Sequence, residues 1–146
     1  MNRRCLLIVG VALLLAAGDA GEDVKKELAK FGGTWRIVSL ETEQGKIGED
    51  ALKDFRLIIE GDKFTAKEQS GEVHGTFKVD PAKKPKTIDI IMKDGPMKDT
   101  TMLGIYELDG DTVKFCFAAP GKDRPSDFTA KEGSQRTLSV WKRDKK

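Results

Sequence analysis

Apolar and polar residues alternate along most of this chain, the pattern of β-strands with one face in a core and one face in water. In residues 73–79, for example, small or apolar residues alternate with His74, Thr76 and Lys78. Comparable runs occupy residues 35–40, 55–60, 63–68, 87–92, 104–108, 112–117 and 137–143. The pattern therefore predicts about eight short strands, with the spacing expected of a sandwich or a closed barrel.

The turn residues between these runs indicate how the strands connect. Asp109-Gly110 separates two runs rich in β-branched and aromatic residues, which is a strong signal for a tight hairpin. Short connections favour an up-and-down meander, and closing the meander into a barrel removes exposed strand edges. We therefore predict an all-β fold, a small antiparallel up-and-down barrel of about eight strands.

Two segments have helical rather than strand character. Residues 22–31 place Val24, Leu28 and Phe31 on one face and end at Gly32-Gly33, which predicts a short N-terminal helix or helical turn. The connection of residues 41–54 has some helical character at residues 49–53. We expect this connection to lie over one end of the barrel.

The N-terminus has the pattern of a secretory signal. Arg3 and Arg4 precede an apolar run, and small residues follow it, so we predict cleavage after Ala20. The run is too short to span a bilayer, which needs roughly 20 residues, although an uncleaved anchor remains the alternative. The expected organisation is a signal peptide over residues 1–20 and one barrel domain over residues 21–146. We expect an exported protein, periplasmic or extracellular, with no membrane span after cleavage.

Charge and cysteine content narrow the class further. The whole chain carries 26 basic and 24 acidic side chains, and this near balance gives no support for nucleic-acid binding. Cleavage would remove Cys5 and leave Cys116 alone, so no internal disulfide is expected. No basic cluster flanks Cys116, and we interpret it as a strand residue rather than a reactive thiol. We expect a monomer.

The chain offers little that resembles a catalytic or metal site. His74 is the sole histidine in the sequence, it alternates with polar residues that face water, and no G-x-S-x-G motif accompanies it. The Asp109-Gly110-Asp111 turn lacks the further ligands of a calcium loop. Asp89, Asp94 and Asp99 could form a weak cation site, but scattered surface acids are more common. We therefore predict no enzymatic activity, no cofactor and no metal.

The barrel interior is the candidate binding feature. Simple alternation places six apolar side chains on the inward face: Phe55, Phe64, Phe77, Ile90, Phe115 and Phe117. A barrel of eight strands is just wide enough either to be filled by side chains or to hold one small ligand, and the sequence leaves both open. Arg124, beside Pro125, could bind an anion at the barrel mouth or could hydrogen-bond loop carbonyls.

Gly33-Thr34-Trp35, which begins the first strand after a short helical segment, resembles the G-x-W signature of lipocalins and their calycin relatives. In that group an Arg of the last strand packs over the Trp and closes the barrel base, a role that the resemblance implies for Arg143. A closer likeness, carried by segments such as Gly61-Asp62-Lys63-Phe64 and Gly104-Ile105-Tyr106-Glu107, is to a lipocalin-like domain family abundant in planctomycete bacteria. That family has no assigned activity or ligand.

Two functions follow from these expectations. The first is an exported, non-enzymatic protein that holds a small apolar molecule in its barrel. The alternative is a filled barrel that acts as an interaction module of the cell envelope. Its rim loops, residues 93–100 and 119–135, would then contact a protein partner.

Overall fold

The alternating segments form strands in the computed structural model, which describes residues 21–144. A helix α1 covers residues 21–31, and a short helix α2 covers Glu49–Leu52. The strands are β1 (Gly33–Thr42), β2 (Gly45–Lys46), β3 (Arg56–Glu60), β4 (Lys63–Glu68), β5 (Gly71–Asp80), β6 (Lys86–Met92), β7 (Thr101–Asp109), β8 (Thr112–Ala118) and β9 (Arg136–Arg143). The predicted signal peptide and its cleavage point lie outside the described residues.

The strands form a meander that closes on itself. Each strand from β3 to β9 pairs antiparallel with its neighbour in the chain, β3 pairs with β1, and β1 also pairs with β9. The two-residue β2 only extends the hairpin at the end of β1. The barrel thus has eight strands, as predicted, and the Asp109-Gly110 hairpin between β7 and β8 is confirmed.

Several strands extend beyond their apolar runs. The strand β5 begins at Gly71, opposite Glu68, and β7 begins at Thr101, opposite Ile91. The pattern of side chains places these residues in turns or loops because they are small or polar. Their backbone groups nevertheless continue the ladder, which depends on pairing rather than on side-chain hydrophobicity.

The helix α1 covers one end of the barrel, here called the base. Its apolar face, Val24, Leu28 and Phe31, packs against the core as the spacing predicts. The Phe31 ring meets Tyr106 edge to face at 5.2 Å and lies roughly parallel to Phe115 at 6.3 Å between ring centroids. The opposite end, where β4 meets β5 and β6 meets β7, is here called the rim.

A buried carboxylate fixes the helix to the barrel wall. Glu27 of α1 is 3% exposed and accepts hydrogen bonds from the Tyr106 hydroxyl at 2.6 Å and from Lys86 Nζ at 2.9 Å. Burial alone would raise the pKa of Glu27, but hydrogen bonds from Tyr106, Lys86 and Lys30 outweigh it and hold the pKa below its usual value. Burial and the Glu27 carboxylate together raise the pKa of Tyr106. The cluster joins α1, β6 and β7.

Neither helix within residues 21–144 is long and apolar enough to cross a membrane.

Candidate functional site

The barrel interior contains an open cavity of about 240 Å³ that extends from the base towards the rim. Its wall is formed almost entirely by apolar side chains from α1, the β-strands and the residue that precedes β3. The lining residues are Phe31, Ile37, Leu40, Phe55, Leu57, Ile59, Phe64, Ala66, Glu68, Phe77, Ile88, Ile90, Phe115, Phe117, Thr137, Ser139 and Trp141.

All six side chains that alternation places inside the barrel line this cavity: Phe55, Phe64, Phe77, Ile90, Phe115 and Phe117. Phe77 and Phe115 are buried near the base, whereas the other four remain half-buried. Inward-facing side chains that keep partial exposure border space that solvent can reach. The interior is therefore hollow above the base, the point that the sequence leaves open.

The cavity floor comes from outside the strands. Phe31, at the end of α1, is fully buried and stacks among the core rings beneath the cavity. Strand alternation cannot indicate this residue because it lies in a helix. In the sequence, the apolar face shared by Val24, Leu28 and Phe31 is the feature that could have indicated that Phe31 contacts the core.

Two aromatic side chains lie flat against glycines of the neighbouring strand. Phe64 is opposite Gly75, and Phe117 is opposite Gly104. A methyl group at Gly75 would come within 2.5 Å of the Phe64 ring, and one at Gly104 would also collide with the Phe117 ring. The glycines thus leave room for both rings at the wall, which keeps them out of the centre of the cavity.

Polar side chains concentrate on one wall of the cavity. Thr137, Ser139 and Trp141 alternate along β9 and face inward. The Trp141 indole donates a hydrogen bond from Nε1 to Ser139 Oγ at 2.9 Å. Glu68, at the rim end of β4, is the charged side chain among the described residues that line the cavity. This polar stripe was not predicted, although its period of two is visible in the sequence.

The structure brings Gly33, Trp35 and Arg143 together at the base. The Arg143 guanidinium lies over the buried Trp35 ring, 4.3 Å from its centroid, and the two residues are paired between β1 and β9. Gly33 has a φ of 121°, in the region that favours glycine, and a side chain there would meet Arg143 at 3.1 Å. An indole face is the preferred aromatic partner of a guanidinium.

The same two side chains satisfy carbonyl groups near the end of α1. Trp35 donates from Nε1 to the Phe31 carbonyl at 2.8 Å. Arg143 donates from Nη2 to the Lys30 carbonyl at 2.7 Å and from Nη1 to the Gly32 carbonyl. Its Nε donates to Asp111 at 3.0 Å. The last carbonyls of a helix have no hydrogen-bond partners within it. Trp35 and Arg143 supply donors to these carbonyls and so hold the end of α1 against the base.

Arg124 lies against the outer barrel wall rather than at the barrel mouth, where an anion contact was one of its two possible roles. Its Nη1 donates to the carbonyls of Gly104 at 2.8 Å and Ile88 at 3.2 Å, and Nη2 pairs with Asp89 at 2.7 Å. The residue therefore follows the second interpretation, hydrogen bonding to carbonyls, but these carbonyls belong to β6 and β7 rather than to a loop.

Residues 119–135, one of the two predicted rim loops, follow the outer wall for part of their length. The segment leaves the rim and folds back over the outside of the wall, where Pro125 and Ala130 are buried. It covers Cys116, which is 0% exposed, and Cys116 Sγ donates to the Thr129 carbonyl at 3.5 Å. The interpretation of Cys116 as a strand residue is confirmed, and burial raises the pKa of its thiol, which disfavours the reactive thiolate.

His74 faces water on the outside of β5, as predicted. Its Nδ1 lies 2.7 Å from an oxygen of Asp94, and its Nε2 lies 3.6 Å from Glu72. Hydrogen bonds from the His74 backbone and side chain lower the pKa of Asp94. Within residues 21–144, no group of three or more His, Cys, Asp or Glu side chains is placed to hold a metal ion.

No protein-family model and no curated protein matches the chain. Among solved structures, it is similar to a DUF4847 family protein from Bacteroides vulgatus ATCC 8482. The two share 16% sequence identity with a TM-score of 0.48, over 79% of this chain and 94% of that one. A likeness at this level carries no argument about function.

Proposed function

We propose that this protein is an exported, non-enzymatic, lipocalin-like protein that binds a small apolar molecule inside its barrel. The observation that carries the proposal is the cavity of about 240 Å³, walled mainly by phenylalanine, isoleucine and leucine side chains. An apolar cavity of about 150 Å³ lined by Leu, Ile and Phe side chains binds benzene. A larger cavity of the same chemistry suits a somewhat larger apolar molecule.

The size of the cavity limits the ligand class. Pockets for drug-sized molecules typically measure roughly 300–1,000 Å³. At about 240 Å³, this cavity suits a one- or two-ring compound or a short chain. The expected ligand is therefore smaller than most drug-like molecules.

The proposal of export depends on the sequence. Arg3 and Arg4, followed by the apolar run and the small residues before Ala20, form the predicted signal peptide. The competing function, a filled barrel that contacts a partner through its rim loops, has less support. The barrel is hollow, and the part of residues 119–135 around Pro125 and Ala130 is buried against the outer wall.

A hydrocarbon probe tests the proposal directly. Indane, a two-ring hydrocarbon, should produce saturable shifts in the NMR amide signals of cavity residues such as Ala66 and Ile90. In the variant Ala66→Phe, the new ring fills the cavity and binding should be lost. Thr65→Phe places the same ring on the other face of β4, so this control should keep binding.

Two results would contradict the proposal. One is that neither indane nor a polar analogue of it binds to the wild-type protein. The other is that indane binds equally well to wild type and to Ala66→Phe, which would place the probe outside the cavity. If indane does bind in the cavity, native mass spectrometry of protein isolated from its own exported fraction would identify the natural ligand by its mass.

A further inference from the structure

We infer that the ligand carries one neutral hydrogen-bond acceptor, such as a carbonyl oxygen, and that the Ser139 hydroxyl binds it. The inference rests on the proposed function, because it specifies the chemistry of the molecule in the same cavity. Its basis is a single relationship on β9, the hydrogen bond from Trp141 to Ser139 at 2.9 Å.

The direction of this hydrogen bond follows from the chemistry of its two groups. An indole N–H can only donate, so the Ser139 oxygen must be the acceptor. The Ser139 hydroxyl hydrogen therefore remains available as a donor. Within the part of the chain that the structure describes, Trp141 is the one side-chain or backbone partner of this hydroxyl.

The surroundings make that donor significant. Ser139 is 8% exposed, lines the cavity, and is paired with Phe115 on β8 and Leu40 on β1. A buried donor without an acceptor costs free energy, commonly about 1–3 kcal/mol. A ligand oxygen at this position would recover that cost. A molecule with an acceptor at one edge and a hydrocarbon body thus matches the wall better than a pure hydrocarbon.

The charge of the cavity wall excludes an anionic acceptor. Among the described lining residues there is no Lys, Arg or His, and Glu68 brings a carboxylate to the rim end. A carboxylate ligand would lose its hydration without gaining a cation and would approach Glu68. The acceptor is therefore a ketone, aldehyde, ester or ether oxygen, not an acid.

Three probes with the same ring system separate these possibilities. Indane has no acceptor, 1-indanone has one carbonyl oxygen, and indane-1-carboxylate has an anionic group. By NMR titration, wild type should bind 1-indanone roughly 3- to 10-fold more tightly than indane, the effect of one hydrogen bond. The carboxylate should bind more weakly than both.

Variants on β9 then assign the preference to Ser139. Ser139→Ala removes the hydroxyl but also frees the Trp141 N–H, so the decisive variant is the double change Ser139→Ala with Trp141→Phe. It should bind 1-indanone and indane with similar affinity. Ser39→Ala is the matched control, because Ser39 is paired with Val140 on the outer face and its loss should leave the preference unchanged.

The ratio of the two affinities within one variant cancels any general loss of folded protein. Equal binding of indane and 1-indanone by wild type would overturn this inference and leave the proposed function intact. A preference that survives the double variant, or one that disappears in Thr137→Val instead, would also overturn it. Absence of binding by all three probes would contradict the proposed function itself.

Discussion

The ring of Phe64 lies against Gly75, its partner across β4 and β5, so closely that a methyl group on Gly75 would come within 2.5 Å of it. The same methyl group would lie 2.6 Å from the Ile91 carbonyl oxygen. The ring can rotate away into the cavity, but the backbone oxygen has no such freedom. This relationship connects the stability of the wall with the volume of the cavity.

Gly75→Ala should therefore destabilise the barrel and reduce its capacity for ligand. Overpacking of this kind costs about 1–3 kcal/mol, which urea unfolding followed by circular dichroism will measure. The displaced Phe64 ring should also weaken indane binding. Gly48→Ala is the control, because the space around Gly48 is open and its φ is −67°. An unchanged urea midpoint and an unchanged indane affinity in Gly75→Ala would show that neither stability nor binding requires a glycine at this position.

Arg143→Lys should lower the free energy of unfolding by about 2 kcal/mol. Lysine keeps the charge, but it cannot stack its head group on Trp35 while donating to Lys30, Gly32 and Asp111. Arg36→Lys on the exposed side of β1 should change stability little. If both variants unfold at the wild-type urea concentration, the stacked Arg143 does not stabilise the base.

Glu27→Gln should destabilise the protein at pH 7 by about 2 kcal/mol, the effect of weakening charge-assisted hydrogen bonds. The pKa of Glu27 is lower in the folded protein than its usual 4.5. The carboxylate therefore stabilises the fold fully above about pH 4.5, and this contribution is lost as the pH falls through the folded pKa. The difference between wild type and variant should shrink in acid.

Urea unfolding between pH 3 and pH 7 measures that difference. Glu22→Gln, on the exposed side of the same helix, serves as the control and should follow wild type at each pH. A difference for Glu27→Gln that stays constant down to pH 3 would contradict the assigned role of the ionised carboxylate.

Cys116 should react far more slowly with iodoacetamide in the native protein than in urea. Burial raises the pKa of its thiol, and residues 119–135 cover it. Arg124→Ala removes the contacts of this segment with β6 and β7, and it should accelerate labelling through local opening. Lys122→Ala, an exposed change in the same segment, is the control. Equal labelling rates for Arg124→Ala and wild type would show that Arg124 does not stabilise the packing of residues 119–135 over Cys116.

The order and inward face of the strands could be predicted from the sequence. Alternation depends on backbone geometry alone, so residues such as Phe77 and Phe115 were placed inside the barrel without knowledge of their neighbours. The Asp109-Gly110 turn set the register of β7 against β8 for a similar reason, because a tight turn fixes the pairing of the residues beside it.

The polar part of the cavity was harder to predict. Thr137, Ser139 and Trp141 alternate on β9, but Ser and Thr are equally common on wet faces, so their residue type gave no signal. Residues 119–135 had no periodicity at all. Their position on the outer wall depends on Arg124 and on the burial of Pro125 and Ala130, contacts that no local pattern encodes.

The sequence by itself determined a meander of about eight antiparallel strands with an aromatic inner face, because side-chain period and turn chemistry are local properties. Whether the barrel interior is filled or hollow was decided only by the tertiary structure. The volume left over depends on where Phe64 and Phe117 direct their rings, and Gly75 and Gly104 on neighbouring strands set those directions. Packing across strands is a non-local property, and it produced the cavity.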